Sequence, residues 1–214
     1  MASPGGERGV AVKALGVLVS GRGSNLRALH AATLPGGALA GVARIAVVAS
    51  DKPDCGGLAF ARERGLPTVA LPVLGRTREA WDAALADALA AHEREGPLDL
   101  LVLAGFMRIL SAGFVARYAG RIVNIHPADT RVHQGLGGYA FAHAARLDET
   151  WITVHLVDAG LDTGRVLARR AVDLRGADTL AEIERRGLQV EHAFYSETLR
   201  DLLLGELGAD EAAR

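Results

Sequence analysis

Short apolar runs alternate with amphipathic segments along most of the chain, and this alternation predicts its secondary structure. An apolar run of four to eight residues is typical of a buried strand, whereas apolar residues three and four apart indicate a helix. The predicted strands are 14–19, 43–49, 67–71, 98–104, 121–126, 150–158 and 165–174. The predicted helices are 26–32, 58–64, 77–92, 111–118, 139–147 and 179–204, the last with Gly187 as a possible break.

The order of these elements predicts an α/β protein built as a single domain. Strands that alternate with helices favour an open, mostly parallel, twisted sheet with helices on both faces, a Rossmann-like arrangement. The fourth run, LDLLVLA, is apolar apart from Asp99, as expected of a central strand that is covered on both sides. We expect residues 13–204 to form this domain, between a flexible leader (1–12) and a frayed, charged tail (205–214).

Composition excludes several classes of protein. Half of the 214 residues are hydrophobic and 23% are charged, which suits a large core and excludes global disorder. A net charge of −1 argues against a broad surface for nucleic acid or membrane. Cys55 is the only cysteine, so neither an intrachain disulfide nor a cysteine zinc site is expected. No apolar stretch is long enough to span a membrane, and the leader lacks an apolar signal core, so we expect a cytoplasmic protein.

A glycine-rich turn, Ser20–Asn25, lies between the first predicted strand and the first predicted helix. Glycine allows close approach to the backbone, and free N–H groups at a helix N-terminus attract anions. The spacing is not that of the Walker sequence, and the third glycine of the dinucleotide fingerprint is missing. The turn therefore indicates either a phosphate site or a tight turn in which Ser24 or Asn25 caps the helix.

Asn124 and His126 stand two residues apart at the end of the fifth predicted strand, before Pro127. Residues with this spacing on a strand point to the same face. An amide donor would then lie beside a titratable imidazole, beyond the carboxyl end of a parallel strand, where ligands of such sheets bind. The alternative is a histidine that ends the strand and an asparagine that begins a turn.

Several motifs together resemble one family. They are SGRGSNL at 20–26, LAGFMRILS at 103–111, NIHP at 124–127, LDTG at 161–164 and VEH at 190–192. Each is weak alone, but the ordered set, which spans about residues 14–203, is specific. The chain resembles the phosphoribosylglycinamide formyltransferase family of folate-dependent enzymes.

This resemblance implies a reaction and a set of residues. The reaction is formyl transfer from 10-formyltetrahydrofolate, as co-substrate, to the amine of glycinamide ribonucleotide in purine synthesis, without a metal. The resemblance assigns catalysis to Asn124, His126 and Asp162, nucleotide binding to Gly23, Ser24, Asn25 and Glu191, folate binding to Met107, Arg108, Ile109, Leu110 and Asp162, and supporting positions to Pro127 and His155. It implies small-molecule partners only, with neither nucleic acid nor membrane, and a monomer or homodimer. The bland alternatives are that Asp162 only shapes its turn and that Glu191 is a solvated helix residue.

The chain departs from the family pattern directly after Pro127. The family reads Ser-Leu-Leu-Pro there and later Gly-Leu-His-x-His, whereas this chain has Ala128–Arg131 and Gly135–Tyr139. The loop 127–138 thus loses two leucines, each worth about 1.5–3 kcal/mol when fully buried, and gains glycines that raise the entropy cost of ordering it. We expect it to be mobile, with His133 and Tyr139 as possible substitute contacts. Two further functions stay open: a same-fold enzyme that formylates another amine or water, and a weakly active folate- or nucleotide-binding protein.

Overall fold

The computed structural model describes residues 11–93 and 96–207. Its seven strands are β1 (Lys13–Val19), β2 (Ala43–Ser50), β3 (Thr68–Ala70), β4 (Leu100–Leu103), β5 (Ile122–His126), β6 (Glu149–Leu156) and β7 (Val166–Asp173). Its six helices are α1 (Ser24–Thr33), α2 (Gly56–Glu63), α3 (Arg78–Ala90), α4 (Ala112–Arg117), α5 (Gly138–Ala144) and α6 (Leu180–Leu204). The predicted elements are all present, with ends that differ by a few residues. The predicted leader falls largely, and the tail mostly, outside the described residues.

The strands form one sheet in the order β3-β2-β1-β4-β5-β6-β7. Strands β1 to β5 pair in parallel, and β6 and β7 are each antiparallel to the strand before them. The carboxyl ends of β1, β4 and β5 therefore meet at one edge, where the loops that follow them lie side by side. The predicted open, mostly parallel α/β sheet is confirmed.

Apolar side chains cover both faces of the sheet. On one face, Leu26 of α1, Leu58 of α2 and Phe194 of α6 belong to one buried cluster. On the other face, Trp81 of α3 and Phe114 of α4 belong to a second cluster. Because the strands are apolar on both sides, they are held between two helical layers, and their polar ends are left for the site. No helix in the described part of the chain is long and apolar enough to cross a membrane.

The long helix α6 runs through Gly187 without interruption, so the predicted possible break there is wrong. Glycine costs about 1 kcal/mol relative to alanine inside a helix, so another interaction must favour it at this position. A side chain at 187 would overlap the ring of Tyr139 on α5. The close approach of that ring therefore explains Gly187. At the start of the helix, the Thr179 side chain accepts a capping hydrogen bond from the Glu182 N–H at 3.2 Å.

Candidate active site

The end of β5 carries Asn124 and His126, and the neighbouring strand brings a second histidine to the same place. In the antiparallel register of β5 and β6, Asn124 lies opposite His155. The Asn124 amide nitrogen is 3.3 Å from Nε2 of His155. Both histidines are buried, whereas Asn124 keeps partial exposure. The paired strands thus fix three polar side chains at one edge of an otherwise apolar sheet.

Asp162 reaches this group from the turn that joins β6 to β7. Its backbone is left-handed, with φ of 53°, a conformation that aspartate tolerates better than most residues. Its Oδ1 accepts from the Asn124 amide at 3.3 Å and its Oδ2 from the Gly135 N–H at 2.9 Å. Its Oδ2 is also 3.5 Å from Nδ1 of His126. One carboxylate therefore joins the two catalytic candidates on β5 to the 127–138 loop.

The partners of the two rings indicate where their protons lie. Nε2 of His126 is 3.0 Å from the main-chain oxygen of His133, and Nδ1 of His155 is 2.9 Å from that of Leu156. A carbonyl oxygen only accepts, so each of these nitrogens carries a proton. Nε2 of His155 faces both the Asn124 amide, at 3.3 Å, and Oδ1 of Asp162, at 3.4 Å. His126 therefore presents an N–H donor whose acceptor belongs to the 127–138 loop.

Burial and charge act in opposite directions on this group. Burial lowers the pKa of His126, and the nearby Asp162 carboxylate raises it, with a net lowering. Burial alone would raise the pKa of Asp162, but hydrogen bonds from His155 and Gly135 and the charge of His126 hold it at about 2. Asp162 is therefore ionised at any working pH, beside an imidazole whose pKa it raises against the effect of burial.

A cavity of about 430 Å³ opens directly onto this group. Its wall includes Asn124, His126, Pro127, His155 and Asp162. The segment Met107–Leu110, which follows β4, also lines this cavity, so the predicted catalytic and folate residues share it. The volume suits a small organic molecule.

The 107–110 segment combines exposed apolar side chains with a fixed backbone. Met107 and Ile109 are 58% and 50% exposed at the cavity, and exposed apolar side chains grouped at a cavity often mark a ligand-binding groove. The guanidinium of Arg108 lies over the Trp81 ring at 4.6 Å. Ser20 accepts from the Met107 N–H at 3.0 Å and donates to Asp51 at 2.7 Å. This serine, which links the glycine-rich turn to the cavity wall, was not among the predicted site residues.

The glycine-rich turn leads into α1 as predicted, but neither Ser24 nor Asn25 caps that helix. The N-cap is Gly23, with φ of 79° and no side-chain cap. A Cβ at 23 would lie 2.6 Å from Cα of Gly57, so only glycine fits this turn. The Asn25 amide instead donates to Glu191 at 2.7 Å. Gly23, Ser24, Asn25 and Glu191 do not line the 430 Å³ cavity and form a second, neighbouring group.

Glu191 is buried on α6, which contradicts the bland alternative of a solvated helix residue. It is 5% exposed, and its two carboxylate oxygens accept from Asn25 and from the hydroxyl of Tyr139. Burial raises its pKa, against the two hydrogen bonds, which lower it. A buried carboxylate needs such partners because transfer out of water is costly.

The 127–138 loop replaces the apolar contacts that it lacks with a buried ion pair. Asp129 stands where the family has leucine, and its Oδ2 lies 3.0 Å from Nη1 of Arg169 on β7. The Arg169 side chain is 4% exposed, whereas Arg131, which also binds Asp129, is 67% exposed. The Arg131 hydrogen bond, against burial, lowers the pKa of Asp129. The start of the loop is therefore fixed to the sheet by charge.

Asp129→Ala is expected to destabilise the protein measurably. It removes an acceptor from a buried guanidinium, and hydrogen bonds to charged groups contribute about 1.5–3 kcal/mol. Arg131→Ala is the matched control, because an exposed pair is worth no more than about 1 kcal/mol. Denaturant unfolding of both variants at neutral pH measures the difference. Equal losses in the two variants would contradict a buried anchor at Asp129.

Comparisons with known proteins agree with this geometry. Residues 13–199 match the family model described as formyl transferase. The chain belongs to the formyl transferase family. A phosphoribosylglycinamide formyltransferase from Haemophilus influenzae is 32% identical over 200 residues, covering 92% of this chain and 90% of that protein. The crystal structure of glycinamide ribonucleotide transformylase 1 from Symbiobacterium toebii has a TM-score of 0.82 at 33% identity, covering 93% of this chain and 94% of that one. The resemblance drawn from the sequence motifs is confirmed.

Other relatives are longer than this formyl transferase. The trifunctional purine biosynthetic protein adenosine-3 of Drosophila melanogaster is 38% identical over 195 residues, and this match covers 90% of the chain and 14% of that protein. The chloroplastic phosphoribosylglycinamide formyltransferase of Arabidopsis thaliana is 34% identical over 192 residues, or 87% of this chain and 64% of that protein. The chain therefore spans only part of the length of these two relatives.

Proposed function

We propose that this chain transfers a formyl group from 10-formyltetrahydrofolate to the amine of glycinamide ribonucleotide. The observation that carries the proposal is the convergence of Asn124, His126 and Asp162 on the cavity that Met107–Leu110 also lines. Family membership and relatives named for this reaction support it. A metal-free reaction in the cytoplasm, by a monomer or homodimer, stays a prediction.

The folate occupies the cavity, with its formyl group toward β5. The exposed apolar side chains of Met107 and Ile109 then contact the folate, and the segment 107–110 that carries them lines the cavity. The formyl oxygen then takes the place of the His133 carbonyl as acceptor of the His126 Nε2 proton. Donor binding and displacement of that loop contact are therefore one event.

The reaction needs no nucleophile from the protein. The substrate amine attacks the formyl carbon, and the C=O electron pair moves onto oxygen to give a tetrahedral oxyanion. Donors at His126 and Asn124 stabilise this oxygen, and a single such donor typically contributes about 10²–10³ in rate. The bond from the formyl carbon to the folate nitrogen then breaks, and the amine proton passes to that nitrogen. Asp162 stabilises positive charge on His126 while this proton moves.

The acceptor binds on the α1 side of the site. The N-terminus of α1 and the backbone of Gly23–Asn25 receive the phosphate. The carboxylate of Glu191, held beside Asn25, accepts hydrogen bonds from uncharged donors of the nucleotide such as its hydroxyl groups. This division puts donor and acceptor on either side of Asn124 and His126, where their reacting atoms meet.

A direct assay distinguishes this function from the open alternatives. Purified protein with 10-formyltetrahydrofolate is offered glycinamide ribonucleotide, an amino sugar, a simple amine, or water alone. We expect formylated product with glycinamide ribonucleotide and at least about 10²-fold lower kcat/KM with unphosphorylated amines, because these lack the group that α1 binds. Faster turnover with water or another amine supports a different acceptor. Folate binding in calorimetry without turnover supports a binding protein instead.

A further inference from the structure

Tyr139 connects the 127–138 loop to the acceptor side of the site. It is the second residue of α5, directly after the glycine-rich part of the loop. Its hydroxyl donates to Oε1 of Glu191, while Asn25 donates to Oε2. Side chains from three helices, α1, α5 and α6, therefore meet at one buried carboxylate.

Gly187 provides the space that this contact requires. It precedes Glu191 by four residues, so both lie on the same face of α6. The Tyr139 ring lies directly over the Gly187 backbone, where any side chain would overlap it. Ring and hydroxyl are thus fixed together: the ring lies against Gly187 and the hydroxyl reaches the carboxylate one turn further along the helix.

The protonation states make this an oriented interaction. Burial and the neighbouring Glu191 carboxylate raise the pKa of Tyr139, so its hydroxyl remains a donor at working pH. A carboxylate oxygen has room for about two hydrogen bonds. Tyr139 and Asn25 take one on each oxygen of Glu191, which leaves acceptor capacity in a fixed direction.

We propose that Tyr139, seated against Gly187, is a positioning residue that holds the Glu191 carboxylate for the hydroxyl or amine groups of the acceptor. The inference rests on the proposed function, in which Glu191 contacts the nucleotide. Tyr139 stands where the family pattern has histidine. The contact therefore uses a residue that differs from the family pattern, directly after a loop that also departs from it.

Tyr139→Phe tests the hydrogen bond while preserving the ring. We expect KM for glycinamide ribonucleotide to rise about 10-fold, as befits one hydrogen bond to a charged group. KM for 10-formyltetrahydrofolate and kcat are expected to change less than about 3-fold. Tyr118→Phe, at a buried tyrosine in the cluster on the other face of the sheet, is the control and leaves all three constants unchanged. A purely structural role would instead raise both KM values, and no change in either would also overturn the proposal.

A double-mutant cycle tests whether Gly187 acts through the Tyr139 ring that packs against it. Gly187→Ala displaces the ring and is expected to raise the nucleotide KM in the wild-type background, but to add little in a Tyr139→Ala background. Additive effects would show that Gly187 acts independently, which overturns the pairing.

Calorimetric binding of glycinamide ribonucleotide, without folate, gives a readout besides turnover. A wild type that lacks turnover but shows the expected loss of affinity in Tyr139→Phe refutes the proposed reaction and keeps the inference. An active wild type, together with unchanged affinity in Tyr139→Phe, keeps the proposed reaction and refutes the inference about Tyr139.

Discussion

Replacing His126 with alanine is expected to lower kcat by about 10³-fold while KM for both substrates changes little. The imidazole supplies a donor that matters most when the oxyanion forms, and loss of one such donor typically costs about 10²–10³. Its Nε2–H now binds the His133 carbonyl, which shows that the proton faces the 127–138 loop and the cavity. Removing it also leaves Asp162 without its charge partner.

The measurement is steady-state kinetics with both substrates varied. His30→Ala is the matched control, because this imidazole lies on α1 against Phe60, away from the cavity. We expect the control to retain wild-type kcat. A His126→Ala enzyme with kcat within about 10-fold of the wild type would contradict the assigned role, as would a loss confined to KM.

Replacing Asp162 with asparagine is expected to lower kcat by about 10²-fold or more and to change its pH dependence. Because the Asp162 carboxylate raises the pKa of His126, its removal lowers that pKa further. The limb of the pH–rate profile that reports His126 should therefore move to lower pH in the variant. Asparagine keeps the size of the side chain but removes the charge. The hydrogen bond that Asp162 accepts from the Gly135 N–H is therefore also weaker in the variant.

Acid stability supplies a second readout for this residue. The pKa of Asp162 in the folded protein is about 2, below its ordinary value of 3.8. A depressed pKa contributes stability that is present above pH 3.8 and lost as pH falls toward 2. The stability difference between wild type and Asp162→Asn should therefore shrink over this interval. A constant difference, with an unshifted pH–rate profile, would contradict the charge role.

The sequence predicts the sheet well because most of its strands are distinct apolar runs. Runs such as Leu100–Leu103 are apolar on both faces, and Asn124 and His126 are polar exceptions at the end of such a run. Parallel topology then brings the ends of β1, β4 and β5 together. Motif order adds Asp162, which periodicity alone would leave as a turn residue.

The contacts of the 127–138 loop could not be predicted in the same way. Asp129 pairs with Arg169 and Tyr139 with Glu191, 40 and 52 residues apart, and no local pattern specifies such partners. The sequence shows two leucines lost and glycines gained, which predicts a mobile loop. The buried partners lie on β7 and α6, so only the folded chain shows that charge and a phenol hydroxyl replace apolar packing there.

Gly187 illustrates the same limit in the opposite direction. Helix propensity disfavours glycine, and the pattern of 179–204 alone suggests two segments. Packing overrides that preference, because the absent side chain admits the Tyr139 ring. The residue that looks like a helix defect in the sequence is, in the fold, the position against which the Tyr139 ring packs.

The most direct test of the account follows the formyl group itself. Wild-type protein is incubated with 10-formyltetrahydrofolate carrying an isotopic label in the formyl carbon, together with glycinamide ribonucleotide, and the products are separated and analysed by mass spectrometry. The account predicts labelled formylglycinamide ribonucleotide in stoichiometric yield with the folate consumed, and about 10³-fold slower formation of it with His126→Ala. Labelled formate in place of the formylated nucleotide, or equal product from the variant, would contradict it.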